Sequence, residues 1–448
     1  MKNELESKPM PLVRNLLRSI VATTLLCCSL SSLADNTVVK KSATPKPGRI
    51  SSQLLLIGDE LVREQWPGTL ALVNAPRARK MALPGQCISI AVVATGDERD
   101  SLLRETTFNF EVEFAGQKQI YDGLHPTGIK RLKPEGGDFV AEILGAASVD
   151  PKSLPDMSMA SLATFDLGWC VPKDIRDGKA AILGSAILPK GPALPFQKIN
   201  LPIVSYATAG KEGAFKNKEE FGAWFMTYYQ QPNPSRVLAA CRLLSNDNMA
   251  FTLNIRTFLI EVLKLSPEAA SDLQTRLSGE SPETRGYAMH LLQKAGYDIT
   301  PLMAKLSEKE RAYQEEFLRR TPPLADPYDL RVNPEHFDTP NRLDALWSIF
   351  LVTGKQKPVR AIADMLMWHE DYPALQEAQK TPKQPKPMTP ALGRGVSYMV
   401  AGWSLGSFVR QQPLVADFVD AWKVDPNTPK VIKDELGNLF VNEAFKRK

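Results

Sequence analysis

The stretch TFNFEVEF, Thr107–Phe114, decides how the first half of this chain is read. Phe108, Phe110, Val112 and Phe114 fall on one side of an extended backbone, and Asn109, Glu111 and Glu113 on the other. Successive side chains of a strand point to opposite faces, so this alternation predicts a strand with one face in a core and one in water. Working outward, 86–95 (QCISIAVVAT) is apolar and β-branched and breaks at Gly96-Asp97, while 69–73 is a short apolar run entered through Pro67-Gly68. Further strands are expected at 138–144, 161–170, 180–188 and 197–206, punctuated by turn formers at 134–137, 174–178 and 189–195. Short strands with Pro/Gly turns and no alternating helices predict an antiparallel, β-sandwich-like domain over 51–209 rather than a Rossmann or TIM fold.

From about residue 216 the period changes to that of helices. The segments 256–265, 267–277, 282–295, 308–320, 341–352 and 358–368 carry apolar residues three and four apart. Pro267, Pro282 and Pro358 sit just inside helix starts, where a missing N–H costs nothing. A helix over 433–445 would close the chain, and 395–409 reads as a buried helix. The segment 379–390 (QKTPKQPKPMTP) reads as an exposed loop. An α-helical domain is therefore expected over 216–448. Within it, FGAWFMTYYQQPNPSRVLAACRLL (221–244) and LDALWSIFLVTGKQKPVRAIADML (343–366) align so that Pro234 and Arg236 fall on Pro358 and Arg360. Each reads as an aromatic helix, a turn and a second apolar helix. Such αα-hairpins bury their apolar faces by stacking, which gives a solenoid-like array.

The N-terminus has its own logic. Lys2, Lys8, Arg14 and Arg18 precede an apolar run, 20–33, that ends in Ser32-Leu33-Ala34. That is the pattern of a cleaved export signal over 1–34, with a mature start near Asp35 and a polar linker over 35–50. The run is shorter than the roughly 20 residues a spanning helix needs. Cys27 and Cys28 lie inside it, but Leu26 before Cys27 departs from the small residue that precedes a lipidated cysteine. Export places the mature chain in a periplasmic or secreted, oxidising setting. Cys87 and Cys170, both in the β-rich half, are therefore disulfide candidates, expected to join two sheets. Cys241 reads as helical core.

Formal net charge is +5, spread evenly, so neither nucleic acid nor an anionic membrane is indicated as partner. Lys446-Arg447-Lys448 is the dense basic cluster and reads as a solvated end. Gly402-Trp403-Ser404-Leu405-Gly406 matches G-x-S-x-G. In α/β-hydrolases that turn exposes a nucleophilic serine and the histidine follows it. Here His125, His290, His336 and His369 all precede Ser404, and the segment reads as helix, with the two glycines allowing a close helix approach. His369-Glu370-Asp371 lacks metal-ligand spacing, and no Walker, dinucleotide or S-x-x-K pattern occurs, so no cofactor is expected.

The segments LDALWSIFLVTGKQKPVRAI (343–362) and YMVAGWSLGSFVRQQPLVADFV (398–419) resemble the helical C-terminal region of uncharacterised exported bacterial proteins. The resemblance implies a helical C-terminal region and no particular activity or site residue. The reading of the sequence is thus an exported, non-catalytic binding or scaffolding protein of the bacterial envelope. Its partner would be a protein or another envelope component, and the helical domain is a candidate for oligomerisation. The alternative is an envelope hydrolase whose carboxylates converge in a cleft.

Overall fold

A computed structural model describes residues 49–442, apart from 59–80, 96–97, 127, 132–159, 174–176, 190, 197, 207, 210–213, 230–231, 246–252, 321–325, 330, 333–338 and 381–386. The leader, the basic tail, His336 and the strands expected at 69–73 and 138–144 lie outside the described residues.

The first half is antiparallel sheet. Its strands are β1 (Arg49–Gly58), β2 (Cys87–Thr95), β3 (Thr107–Phe114), β4 (Gln117–Leu124), β5 (Gly128–Arg131), β6 (Ala160–Cys170), β7 (Gly178–Ile187), β8 (Ala193–Pro195) and β9 (Ile199–Ile203). One sheet runs β1-β2-β6-β5; the other runs β4-β3-β7-β8, with β9 also on β7. The alternation in β3 is realised as drawn: Phe108, Phe110 and Val112 are buried and Glu113 is exposed. Phe108 and Phe110 meet Phe165 of β6 at ring distances of 4.7 and 5.1 Å, so the two sheets share one apolar core. Each such buried ring contributes about 1.5–3 kcal/mol.

Three features differ from expectation. Strand β1 begins at Arg49, inside the stretch expected as linker. Helix α1 (Arg99–Glu105) interrupts the strands and packs on β1, β2 and β6. Strand β4 carries the sequence QKQIYDGL, which shows no apolar alternation because both its faces are largely exposed.

Thirteen helices follow among the described residues. The first six are α2 (Lys218–Thr227), α3 (Val237–Leu244), α4 (Leu253–Leu265), α5 (Pro267–Arg276), α6 (Pro282–Lys294) and α7 (Thr300–Met303). Next come α8 (Glu308–Arg320), α9 (Thr339–Thr353), α10 (Gln356–Asp364) and α11 (Tyr372–Lys380). The last are α12 (Pro390–Gln411), α13 (Pro413–Val424) and α14 (Lys430–Gly437). The helix expected at 358–368 stops at Asp364 and continues as a 3-10 segment, Met365–Asp371, kinked at Trp368. The closing helix starts and ends earlier than 433–445. It stops at Gly437-Asn438, where the Asn438 N–H turns back onto the carbonyls of Asp434 and Glu435. Helix α12 is long, but among the described residues no helix is long and apolar enough to cross a membrane.

Sheet and helices meet beside β2 and β6. Lys173 holds Glu268 of α5 at 2.8 Å, and Leu83, Tyr206 and Ala209 pack against Ala269. Gly85 is required there: its φ is +79°, and a Cβ would lie 2.7 Å from the Glu268 carboxyl carbon.

Candidate functional site

Helix α10 buries Val359, Ile362 and Ala363 and turns Lys357, Arg360 and Asp364 outward. Helix α13 repeats the logic: Leu414, Val415, Phe418, Val419 and Trp422 recur at three- and four-residue spacing and are all buried. Between their outer ends lies a groove of about 900 Å³, bordered by Lys357, Arg360, Asp364, Trp422, Asp425 and Tyr328.

Two cations sit over aromatic faces in this groove. The Arg360 guanidinium lies 5.6 Å from the Trp422 ring centre, and the Lys357 ammonium lies 4.7 Å from that of Tyr328. Arg360 is further oriented by Nε donating to Asp364 at 2.8 Å and Nη1 donating to Thr428 Oγ1 at 3.1 Å. The Thr428 hydroxyl in turn donates to Asp425 at 3.2 Å. Asp425 also accepts the backbone N–H of Asn427 at 3.0 Å, an Asx turn that ends α13. That N–H, with the Thr428 and Asn427 side chains, holds the Asp425 carboxyl below its ordinary range. Burial pushes the Tyr328 phenol up, with Glu261 and Asp326 adding to it. The groove therefore offers anchored cations, aromatic walls and a carboxylate that holds no proton at neutral pH.

The residues singled out from sequence fall elsewhere. Cys87 and Cys170 are bonded and stand opposite one another on β2 and β6. The bridge thus joins neighbouring strands of one sheet, not two sheets, because the antiparallel register sets the two residues side by side. Cys241 is free and buried, and burial pushes its thiol up to about 12.

Ser404 lies within α12, buried, with its hydroxyl donating to the Ala401 carbonyl at 3.0 Å. This is helix, not a strand-to-helix elbow. The close approach on α12 comes at Gly395, where a Cβ would stand 2.5 Å from the Asp371 carbonyl oxygen; at Gly406 the nearest atom, the Leu439 carbonyl oxygen, is at an ordinary 3.5 Å.

His125 is exposed after β4, and His369 lies in the 3-10 segment. His290 is buried on α6 against Phe317. Burial, with Arg256 and Lys294 nearby, lowers its imidazole to about 4. No group of three or more metal-ligating side chains occurs among the described residues.

Asp344 on α9 is a residue that the sequence patterns above do not single out. Burial pushes its carboxyl up to about 7. The available signal was an acid flanked by apolar residues in LDALW. Nothing local could have paired Tyr328, Arg360 and Trp422, which belong to three separate segments.

Comparison with protein-family models, with curated proteins and with solved structures finds no match.

Proposed function

We propose that this chain is an exported, non-catalytic binding or scaffolding protein of the bacterial cell envelope, and that the groove at Arg360 and Trp422 receives its partner. The observation that carries the reading is the pair of cations already held on aromatic faces in an open groove. Arg, Trp and Tyr dominate binding hot spots, and side chains fixed beforehand lose less entropy when a partner arrives. Export is supported by the leader pattern over 1–34, and the Cys87–Cys170 bridge suits an oxidising compartment.

The two sheets with their shared phenylalanine core are read as a β-sandwich. The helical part is read as stacked αα-hairpins. In support, Arg236 lies 3.9 Å from the Phe215 ring centre and bonds Glu220, while its counterpart Arg360 lies on Trp422 and bonds Asp364. The Tyr229 N–H, in the turn after α2, also donates to the Leu351 carbonyl of α9, linking the two hairpins.

Asp364 and Asp425 both border the groove, which is what a carboxylate hydrolase would need. A general acid, however, needs a raised carboxyl. Asp425 is lowered and Asp364 is bound to Arg360, so binding is favoured. The test is a photo-crosslinking side chain, p-benzoylphenylalanine, in place of Val424, an exposed residue on the border of the groove, in cells that express the chain. A discrete envelope adduct that weakens about fivefold or more with Arg360→Ala is expected. No adduct, or one indifferent to Arg360→Ala, contradicts the reading.

A further inference from the structure

Among the described residues β4 is the outer edge of its sheet, with β3 on one side and no strand on the other. Most of it is exposed, and Ile120 is 58% exposed. An edge of this kind is a template for another strand. The turn before it fixes which backbone groups are free. Ala115 and Gly116 both have positive φ, 50° and 77°, as a two-residue type I′ turn requires. In such a hairpin the flanking pair, Phe114 and Gln117, exchanges both hydrogen bonds, and bonding alternates from there. Gln119 and Tyr121 therefore bond β3 as Gln117 does. The N–H and C=O groups of Lys118 and Ile120 point away from β3, and their side chains share the outer face; Asp122 comes next along that edge, where the β3–β4 register shifts beyond the Phe110–Tyr121 pair.

We infer that β4 pairs with β4 of a second copy, antiparallel about a two-fold axis at Ile120. The outward groups permit only a few registers. An axis at Lys118 sets lysine against lysine, and one at Asp122 sets aspartate against aspartate. An axis at Gln119 or Tyr121 sets a charge against Ile120. The axis at Ile120 sets isoleucine against isoleucine and Lys118 against Asp122 of the second copy, twice over. Charged residues on an edge ordinarily discourage pairing; here they select one register. Lys118 also reaches Glu111 of its own chain at 2.7 Å, a contact that leaves its remaining N–H groups for Asp122 of the second copy. Each opposed pair of outward-facing residues exchanges two main-chain hydrogen bonds, about six in all. The ladder ends after Asp122, where Gly123 takes φ 66° and its N–H turns back to Asn109 Oδ1 at 2.8 Å. So short a contact gives a weak, reversible dimer.

Sedimentation equilibrium of the full chain tests this by charge exchange. Lys118→Glu or Asp122→Lys alone sets like charges opposite, and each raises the dissociation constant by about tenfold or more. The two together restore unlike pairs, and the constant returns to within about threefold of the original. Circular dichroism confirms that each variant is folded. As a second measurement, Ile120→Cys forms a covalent dimer under mild oxidation, whereas Gln117→Cys does not. A wild-type chain that stays monomeric at about 200 μM, single variants that dimerise unchanged, a double variant that fails to recover, or an Ile120→Cys chain that does not crosslink would each overturn the inference.

Discussion

Replacing Cys87 and Cys170 together by alanine is expected to lower stability by about 2–4 kcal/mol. The bridge joins residues 83 apart in sequence. In the chain-entropy picture, closing a loop of that length restrains the unfolded chain by up to about 4.5 kcal/mol at 25 °C. Little native packing is lost, since Cys170 is exposed and Cys87 half-buried. The ladder from Ser89 opposite Asp166 to Thr95 opposite Ala160 keeps β2 and β6 in register without the bridge. The loss therefore falls mainly on the unfolded state and stays below the limiting value. The assay is guanidinium unfolding of the oxidised chain, of the same chain in dithiothreitol, and of the Cys87→Ala, Cys170→Ala variant. The last two should coincide, with midpoints below the first. Because Gly85 and Lys173 flank the bridge and meet Glu268, amide exchange in the first turn of α5 should also rise. Oxidised and reduced chains that unfold at one midpoint would refute the reasoning.

Further outcomes follow from buried groups and close contacts. With its carboxyl at about 7 against an unfolded value of roughly 3.9, Asp344 favours folding only while protonated, so its contribution is complete below pH 3.9 and is lost as pH rises towards 7. Asp344→Asn should remove that decline and stabilise the chain by roughly 2–4 kcal/mol at pH 8, read from denaturation midpoints at pH 5 and pH 8. His290 runs the other way: lowered to about 4, it loses stability as pH falls from roughly 6.5 towards 4, and His290→Leu should flatten that acid limb in the same titration. Gly395→Ala places a methyl against the Asp371 carbonyl oxygen and should cost about 1–3 kcal/mol in thermal or denaturant unfolding.

Legibility in the sequence tracked how local the governing physics was. Strand β3 was readable because one face is core and the other is water, which writes a period of two into Phe108, Phe110 and Val112. Strand β4 was not, because an edge strand exposed on both faces carries no such pattern. Helix starts at Pro267 and Pro282 were readable from the missing N–H, whereas the kink at Trp368 has no comparable marker. The cysteines could be named as candidates, but which strands neighbour one another is a matter of topology, and the structure places the bridge within one sheet. The groove was the least legible part. Arg360 was visible only as a repeat position, and its aromatic partner arrives from a helix far along the chain.

Intact-mass analysis of the protein recovered from the cell envelope tests the account most directly. The prediction is a chain that begins at Asp35 and is two hydrogen atoms lighter than its fully reduced form, with Cys87 and Cys170 joined. A cytosolic protein that retains Met1–Ala34 and carries both thiols free would contradict it.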